Sequence, residues 1–173
     1  MKKINCFLLY FVFLALFSAT AFAQKDKEQN KYKQRTLAEL GMFNREYTAE
    51  NLRKSKMEEK FDFISADPFY SKTRLQFTGS WRPISQDSKD LMRMWGKLLN
   101  VDKKFVSLYE TELLFKEGDE EFWIPTQKKV SEKIFAEVKT NDMITLYVIN
   151  IGGRKAAMAK EYSWLYVSTA FEK

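Results

Sequence analysis

The stretch MITLYVINI, residues 143–151, runs straight into Gly152-Gly153, and eight residues further on comes YSWLYVSTAF, residues 162–171. The first run is apolar on both faces, which predicts a central strand buried from two sides. The second alternates Tyr162, Trp164 and Tyr166 against Leu165 and Val167, which predicts a two-faced strand. If Leu165 and Val167 face the core, the three aromatic rings face outward. The glycine pair reads as the end of the first strand, with Arg154 to Glu161 crossing over to the second.

Working back from this pair, Phe105 to Phe115 is a continuous run of strand-forming residues that stops at Lys116-Glu117-Gly118-Asp119-Glu120. A Gly-Asp pair between two apolar runs marks a hairpin. Its second arm is Phe122-Trp123-Ile124, with Pro125 as the expected stop. Lys128 to Val138 fits two periods: Val130, Ile134 and Val138 suit a helix, and Ile134, Ala136 and Val138 suit a strand. The helix is the preferred reading. Thr140-Asn141-Asp142 is turn chemistry.

Earlier in the chain, Thr73 to Ile84 alternates with Leu75, Phe77, Gly79 and Trp81 on one side, a strand closed by Pro83. Asp87 to Leu99 carries Leu91, Met94, Trp95, Leu98 and Leu99 at spacings of three and four, the stripe of an amphipathic helix. Thr36-Leu37-Ala38-Glu39 matches a capping box and starts a short helix that Gly41 ends or weakens. Tyr47 to Phe63 is densely charged and reads as a polar surface helix or a mobile arm, broken at Ala66-Asp67-Pro68. These elements predict an α+β fold: a curled antiparallel sheet or small partly open β-barrel, with N-terminal and inserted helices. The short spacing of the C-terminal strands resembles small SH3-like and OB-like barrels by architecture, without a family motif.

The N-terminus sets the expected compartment. Lys2 and Lys3, the apolar run Phe7 to Phe17 and Ala21-Phe22-Ala23 have the three parts of a secretory signal, with cleavage between Ala23 and Gln24. The expected product is a periplasmic or secreted protein with no stable membrane anchor: a basic disordered leader over 24–35, then one α+β domain over 36–173. The only cysteine, Cys6, falls in the signal, so the mature chain has neither a disulfide nor a lipid-attachment cysteine. The formal charge of +6 falls to +4 with the loss of Lys2 and Lys3, and +3 of that lies in Gln24 to Arg35. A near-neutral body behind a basic tail does not suit a nucleic-acid surface.

The chain has no histidine. Catalysis by Ser-His-Asp or Cys-His and the usual His/Cys metal sites therefore lack their parts. No cofactor and no metal site are expected. Glu117, Asp119, Glu120 and Glu121 lack the alternating oxygens of a calcium loop and read as a solvated turn. Gly152-Gly153-Arg154 lacks the dinucleotide and P-loop fingerprints, and Ser80 lacks the setting of a nucleophile elbow. The expected role is a non-enzymatic binding or accessory module of the cell envelope, with Trp164, Tyr166 and Tyr162 as an exposed aromatic sheet face toward a polymer or a protein. Two alternatives stay open. One is a histidine-independent hydrolase or lyase using a carboxylate, lysine or tyrosine in a cleft between the Asp87 helix and the sheet. The other is a structural or assembly subunit with an exposed C-terminal edge strand.

Overall fold

The computed structural model describes residues 31–55, 62–65, 69–102, 104–155 and 162–173. The expected signal segment, most of the expected leader, the expected break at Ala66-Asp67-Pro68 and most of the expected crossover after Arg154 lie outside these residues. The chain divides into two compact units, Met1–Lys33 and Gln34–Lys173; the second carries the fold. Its elements are β1 (Lys33–Gln34, shared with the first unit), α1 (Leu37–Ser55), β2 (Asp62–Ile64), β3 (Tyr70–Pro83), α2 (Gln86–Leu98), β4 (Tyr109–Glu117), β5 (Glu120–Gln127), α3 (Lys128–Glu137), β6 (Met143–Arg154) and β7 (Ser163–Glu172). The fold is thus α+β, as the pattern predicts. No described helix is long and apolar enough to cross a membrane.

The seven strands follow the order β1-β3-β4-β5-β7-β6-β2, and β3 pairs with β6 as well. Those pairings form a closed circuit, β3-β4-β5-β7-β6 and back to β3. Four of its five ladders are antiparallel. The fifth corrects the expectation of an antiparallel sheet: β5 and β7 run parallel and pair at a single position, Thr126 with Ser168. The β3 ladders are both possible because this strand is 14 residues long and bends: the register shifts between Phe77 and Trp81, where Gly79 takes φ +83°. Tyr70 to Gln76 pairs with β6, and Gln76 to Pro83 with β4.

Every strand of the circuit contributes to one buried cluster, with Leu75 and Phe77 from β3, Leu113 and Phe115 from β4, Ile124 from β5, Ile144, Leu146 and Val148 from β6, and Tyr166 from β7. That cluster is the ring interior, and it is closed by Leu37 and Leu40 of α1 and by Ile134 of α3 with Val138 after it. A second cluster lies outside β6 and β7, where Ile149, Ile151, Leu165 and Val167 meet Leu91, Met92 and Trp95 of α2. The central position of β6 follows: it is flanked by β3, β7 and β2 and is covered on both faces.

Several local expectations are corrected. Gly41 does not end the first helix, which starts at the expected capping box (Thr36 N to Glu39 Oε2 2.8 Å; Glu39 N to Thr36 Oγ1 3.0 Å) and runs on to Ser55. A Cβ at Gly41 would come within 3.8 Å of the Trp164 ring and 4.0 Å of the Tyr166 hydroxyl, ordinary contact distances, so this turn of α1 lies beside β7 without requiring a glycine. Pro125 does not stop β5, which reaches Gln127. Proline is tolerated in a strand that lacks a regular ladder along one edge. Gly152-Gly153 does not end β6 but continues it beside β2, Gly152 pairing with Ile64 and Gly153 with Phe63. The ambiguous segment 128–138 is helical over Lys128–Glu137. The strand expected from Phe105 begins only at Tyr109, after a 3-10 turn over Val106–Leu108.

Candidate functional site

The acidic hairpin is not simply solvated. Gly118, at φ +61°, makes the turn between the Glu117 and Glu120 pair, and the Glu117 carboxylate reaches the N-terminus of α1. It accepts from Leu37 N at 2.9 Å and Ala38 N at 3.0 Å, and from Thr73 Oγ1 at 3.2 Å. Free N–H groups at a helix start favour such an anion. Glu121 pairs with Lys116 at 3.1 Å. Among the described residues no group of three or more His, Cys, Asp or Glu side chains could hold a metal ion.

The expected aromatic platform is also corrected. Both faces of β7 are covered: Leu165 and Val167 lie under α2, and Tyr166 turns into the ring, where it is only 3% exposed. The inference that one buried row leaves the other row exposed fails because the sheet curls around a second core. Tyr162 and Trp164 are half-buried and stacked on each other, with centroids 5.3 Å apart and planes at 25°. Phe63 meets Trp164 edge-on at 6.1 Å. Of the other tryptophans, Trp95 is buried, Trp123 half-buried and Trp81 57% exposed beside Phe135.

Trp164 and Tyr166 nevertheless line a cleft of about 840 Å³. It lies where β5 and β7 border each other beyond their single ladder position. Glu121, Phe122 and Trp123 contribute from β5, and Ser163 to Tyr166 from β7; Arg82, Glu112 and the start of α2 (Asp87, Ser88, Leu91) form another side, and Arg154 and Lys155 the rim. The size falls within the range of ligand sites, about 300–1,000 Å³.

Two closed charge groups shape the cleft. Glu112 is fully buried and accepts from Arg82 Nε at 2.6 Å, Ser85 N at 3.2 Å, Ser85 Oγ at 3.0 Å and Ser88 Oγ at 2.6 Å. Ser85 is the N-cap of α2 and also accepts from Ser88 N. The Glu112 carboxylate therefore extends the cap and fixes the helix to β4. Arg82 in turn lies over the Trp123 ring, 4.2 Å from its centroid, a cation–π contact. Arg154 closes the second group by a fork to Asp62 (2.7 and 3.2 Å) and a further bond to Asp87 at the start of α2. These carboxylates push the Arg154 guanidinium above its ordinary value, and it stays charged.

Tyr166 sits between the cleft and a buried polar pair. Asn44 and Asn150 exchange side-chain hydrogen bonds of 2.7 and 3.3 Å, joining α1 to β6. Burial pushes the Tyr166 phenol well above its ordinary 10.0, against a smaller lowering by a hydrogen bond from Asn44. The folded protein thus holds a proton that the unfolded chain releases above pH 10, and this stabilising difference, complete below pH 10, is lost as pH rises beyond it. Urea midpoints measured from pH 8 to pH 11.5 should decline above pH 10, and Tyr166→Phe should flatten the decline. Tyr147, raised first by burial and then by its bond to Glu172, keeps part of the slope in that variant.

Sequence reading singled out Trp164 and Tyr166 but missed Arg82 and Glu112. A signal for Glu112 exists: of the carboxylates in this strand it is the one that directly precedes the apolar run Leu113, Leu114 and Phe115. A charge in that setting needs a partner. The chain matches no protein-family model, no curated protein and no solved structure, so the cleft itself is the ground for assigning a role.

Proposed function

We propose that this protein is a non-enzymatic binding module of the cell envelope, exported by its N-terminal signal, and that the cleft beside the β5–β7 seam is its ligand seat. The observation that carries this reading is the cleft, a concave site that joins aromatic residues of β5 and β7 to polar groups of α2 and β4. The strand order supports it. Counting only ring strands, the circuit reads 1-2-3-5-4-1 with a parallel contact between the third and fifth and a helix between the third and fourth. We read this as an OB-type ring, a scaffold that binds ligands on the face of strands two and three and on the adjoining loops; here those are β4, β5, the segment entering α2 and Lys155 after β6. Fold likeness alone sets no ligand.

The enzyme alternative has less support. The cleft's buried carboxylate, Glu112, already accepts from four donors, which leaves it poorly placed to take a proton from a substrate.

The test is photo-cross-linking in the host cell from a benzoylphenylalanine placed at Ser163, inside the cleft, and at Leu98, an exposed residue of α2 outside it. A discrete adduct from position 163 alone, on envelope-fraction protein whose N-terminus is Gln24, is expected. Equal adducts from both positions, none from 163, or an intact leader in the cytoplasm would overturn the proposal.

A further inference from the structure

We infer that the occupant of the cleft is an extended peptide segment, bound by strand addition between β5 and β7. This rests on the cleft being the ligand seat and names the class of ligand.

The first ground is the backbone. β4 ladders with β5 from Tyr109/Gln127 to Glu117/Glu120, and β6 with β7 along the whole of β7. Toward each other, β5 and β7 share one ladder position, Thr126 with Ser168. The segments Glu121–Trp123 and Ser163–Tyr166, which border the cleft, therefore have an inter-strand ladder on one side only among the described residues. A sheet edge with unladdered N–H and C=O groups is a template for an added strand. Because β5 and β7 run parallel, a single strand between them meets both with the same polarity. It needs about 9.6 Å, two strand spacings, and about 13 Å of length to span four residues.

The second ground is what the aromatic rings already do. A sugar recognised by stacking needs a ring face. Arg82 lies over Trp123 at 4.2 Å, and Tyr162 stacks on Trp164 at 5.3 Å. One face of each cleft tryptophan is thus occupied by the protein's own side chains.

The third ground is charge. Arg82 is matched by Glu112, and Arg154 by Asp62 and Asp87. A polyanion would have to break these pairs, whereas a peptide backbone brings no net charge. The pleat sets the side-chain pattern: Phe122, Trp164 and Tyr166 belong to or pack on the interior cluster, while Trp123, Ser163 and Leu165 alternate with them along the strands. The fitting segment carries apolar side chains at every second position and small polar ones between.

The probe is a pool of acetylated, amidated octapeptides alternating Val, Ile or Phe with Ser or Thr, added to the full protein and followed by amide hydrogen exchange. Slowed exchange confined to Glu121–Trp123 and Ser163–Tyr166 is expected, with at least tenfold weaker binding of the same pool N-methylated at alternate residues. Equal binding of the N-methylated pool, or protection elsewhere, overturns strand addition. A parallel arm uses N-acetylglucosamine hexamer. If the hexamer protects the cleft and the peptides do not, strand addition falls while the ligand seat stands; if neither acts there, both fall.

Discussion

Gly152→Ala is expected to destabilise the protein by roughly 4 kcal/mol, the sum of backbone strain of about 1–3 kcal/mol and overpacking of about 1–3 kcal/mol. Gly152 has φ +149°, a conformation costly for any residue with a Cβ. A Cβ there would sit 2.1 Å from the Phe63 carbonyl oxygen and 3.1 Å from the Ile64 Cα. Both obstacles are backbone of β2, which cannot rotate aside as a side chain can. β2 should therefore detach from β6 before the ring fails. Equilibrium urea unfolding gives the magnitude, and exchange of the Ser65 amide, which donates to the Ile151 carbonyl at 3.0 Å, reports the detachment. Gly118→Ala is the internal control. It shares a positive φ, +61°, but a Cβ there meets nothing within 4 Å, so it should cost only about 1–2 kcal/mol. Equal losses in the two variants would show that steric approach to β2 is not the reason for the glycine.

Glu112→Ala is expected to cost about 3 kcal/mol and to loosen the cleft. The carboxylate is wholly buried and holds two serines, one backbone N–H and one guanidinium. Removing one member of a buried charge pair costs about 3–5 kcal/mol, but the Arg82 side chain is 46% exposed, so water can take up its charge and the lower end applies. Glu112→Gln keeps an acceptor for the serines and should cost about half as much. Denaturant midpoints rank the variants. Faster amide exchange of Ser88 to Leu91 and altered Trp123 fluorescence would show that both the cap of α2 and the Arg82–Trp123 contact depend on this residue. A loss under 1 kcal/mol for alanine would mean that water replaces the carboxylate without penalty.

These two residues also mark how far sequence reading reaches. The hairpin at Gly118-Asp119, the helix after Ser85 and the buried course of 143–151 are written in local periodicity and turn chemistry, which act within a few residues. The closure of β3 on β6, the parallel contact of β5 with β7 and the continuation of β6 through Gly152-Gly153 depend on pairings between distant segments, which leave no local period. The aromatic row of β7 was misplaced for the same reason. Alternation separates two faces of a strand but does not say which face meets solvent, and here helices and a curled sheet cover both. Glu112 and Arg82 are 30 residues apart in sequence, and only the β3–β4 register, which pairs them across the ladder, brings them together.

The circuit of strands also bears on how the molecule is made. β7 occupies the place between β5 and β6, so the interior is not complete until residues 163–172 enter it, and the Tyr70–Ile149 pair closes a long loop. Topologies dominated by such distant pairings fold slowly, in milliseconds to seconds. A chain held back at its last strand remains open, with the apolar faces of β3 to β6 accessible to chaperones. Slow closure governed by the final element keeps a polypeptide threadable through a narrow channel, which is the interval that the export proposed above would use before the structure locks.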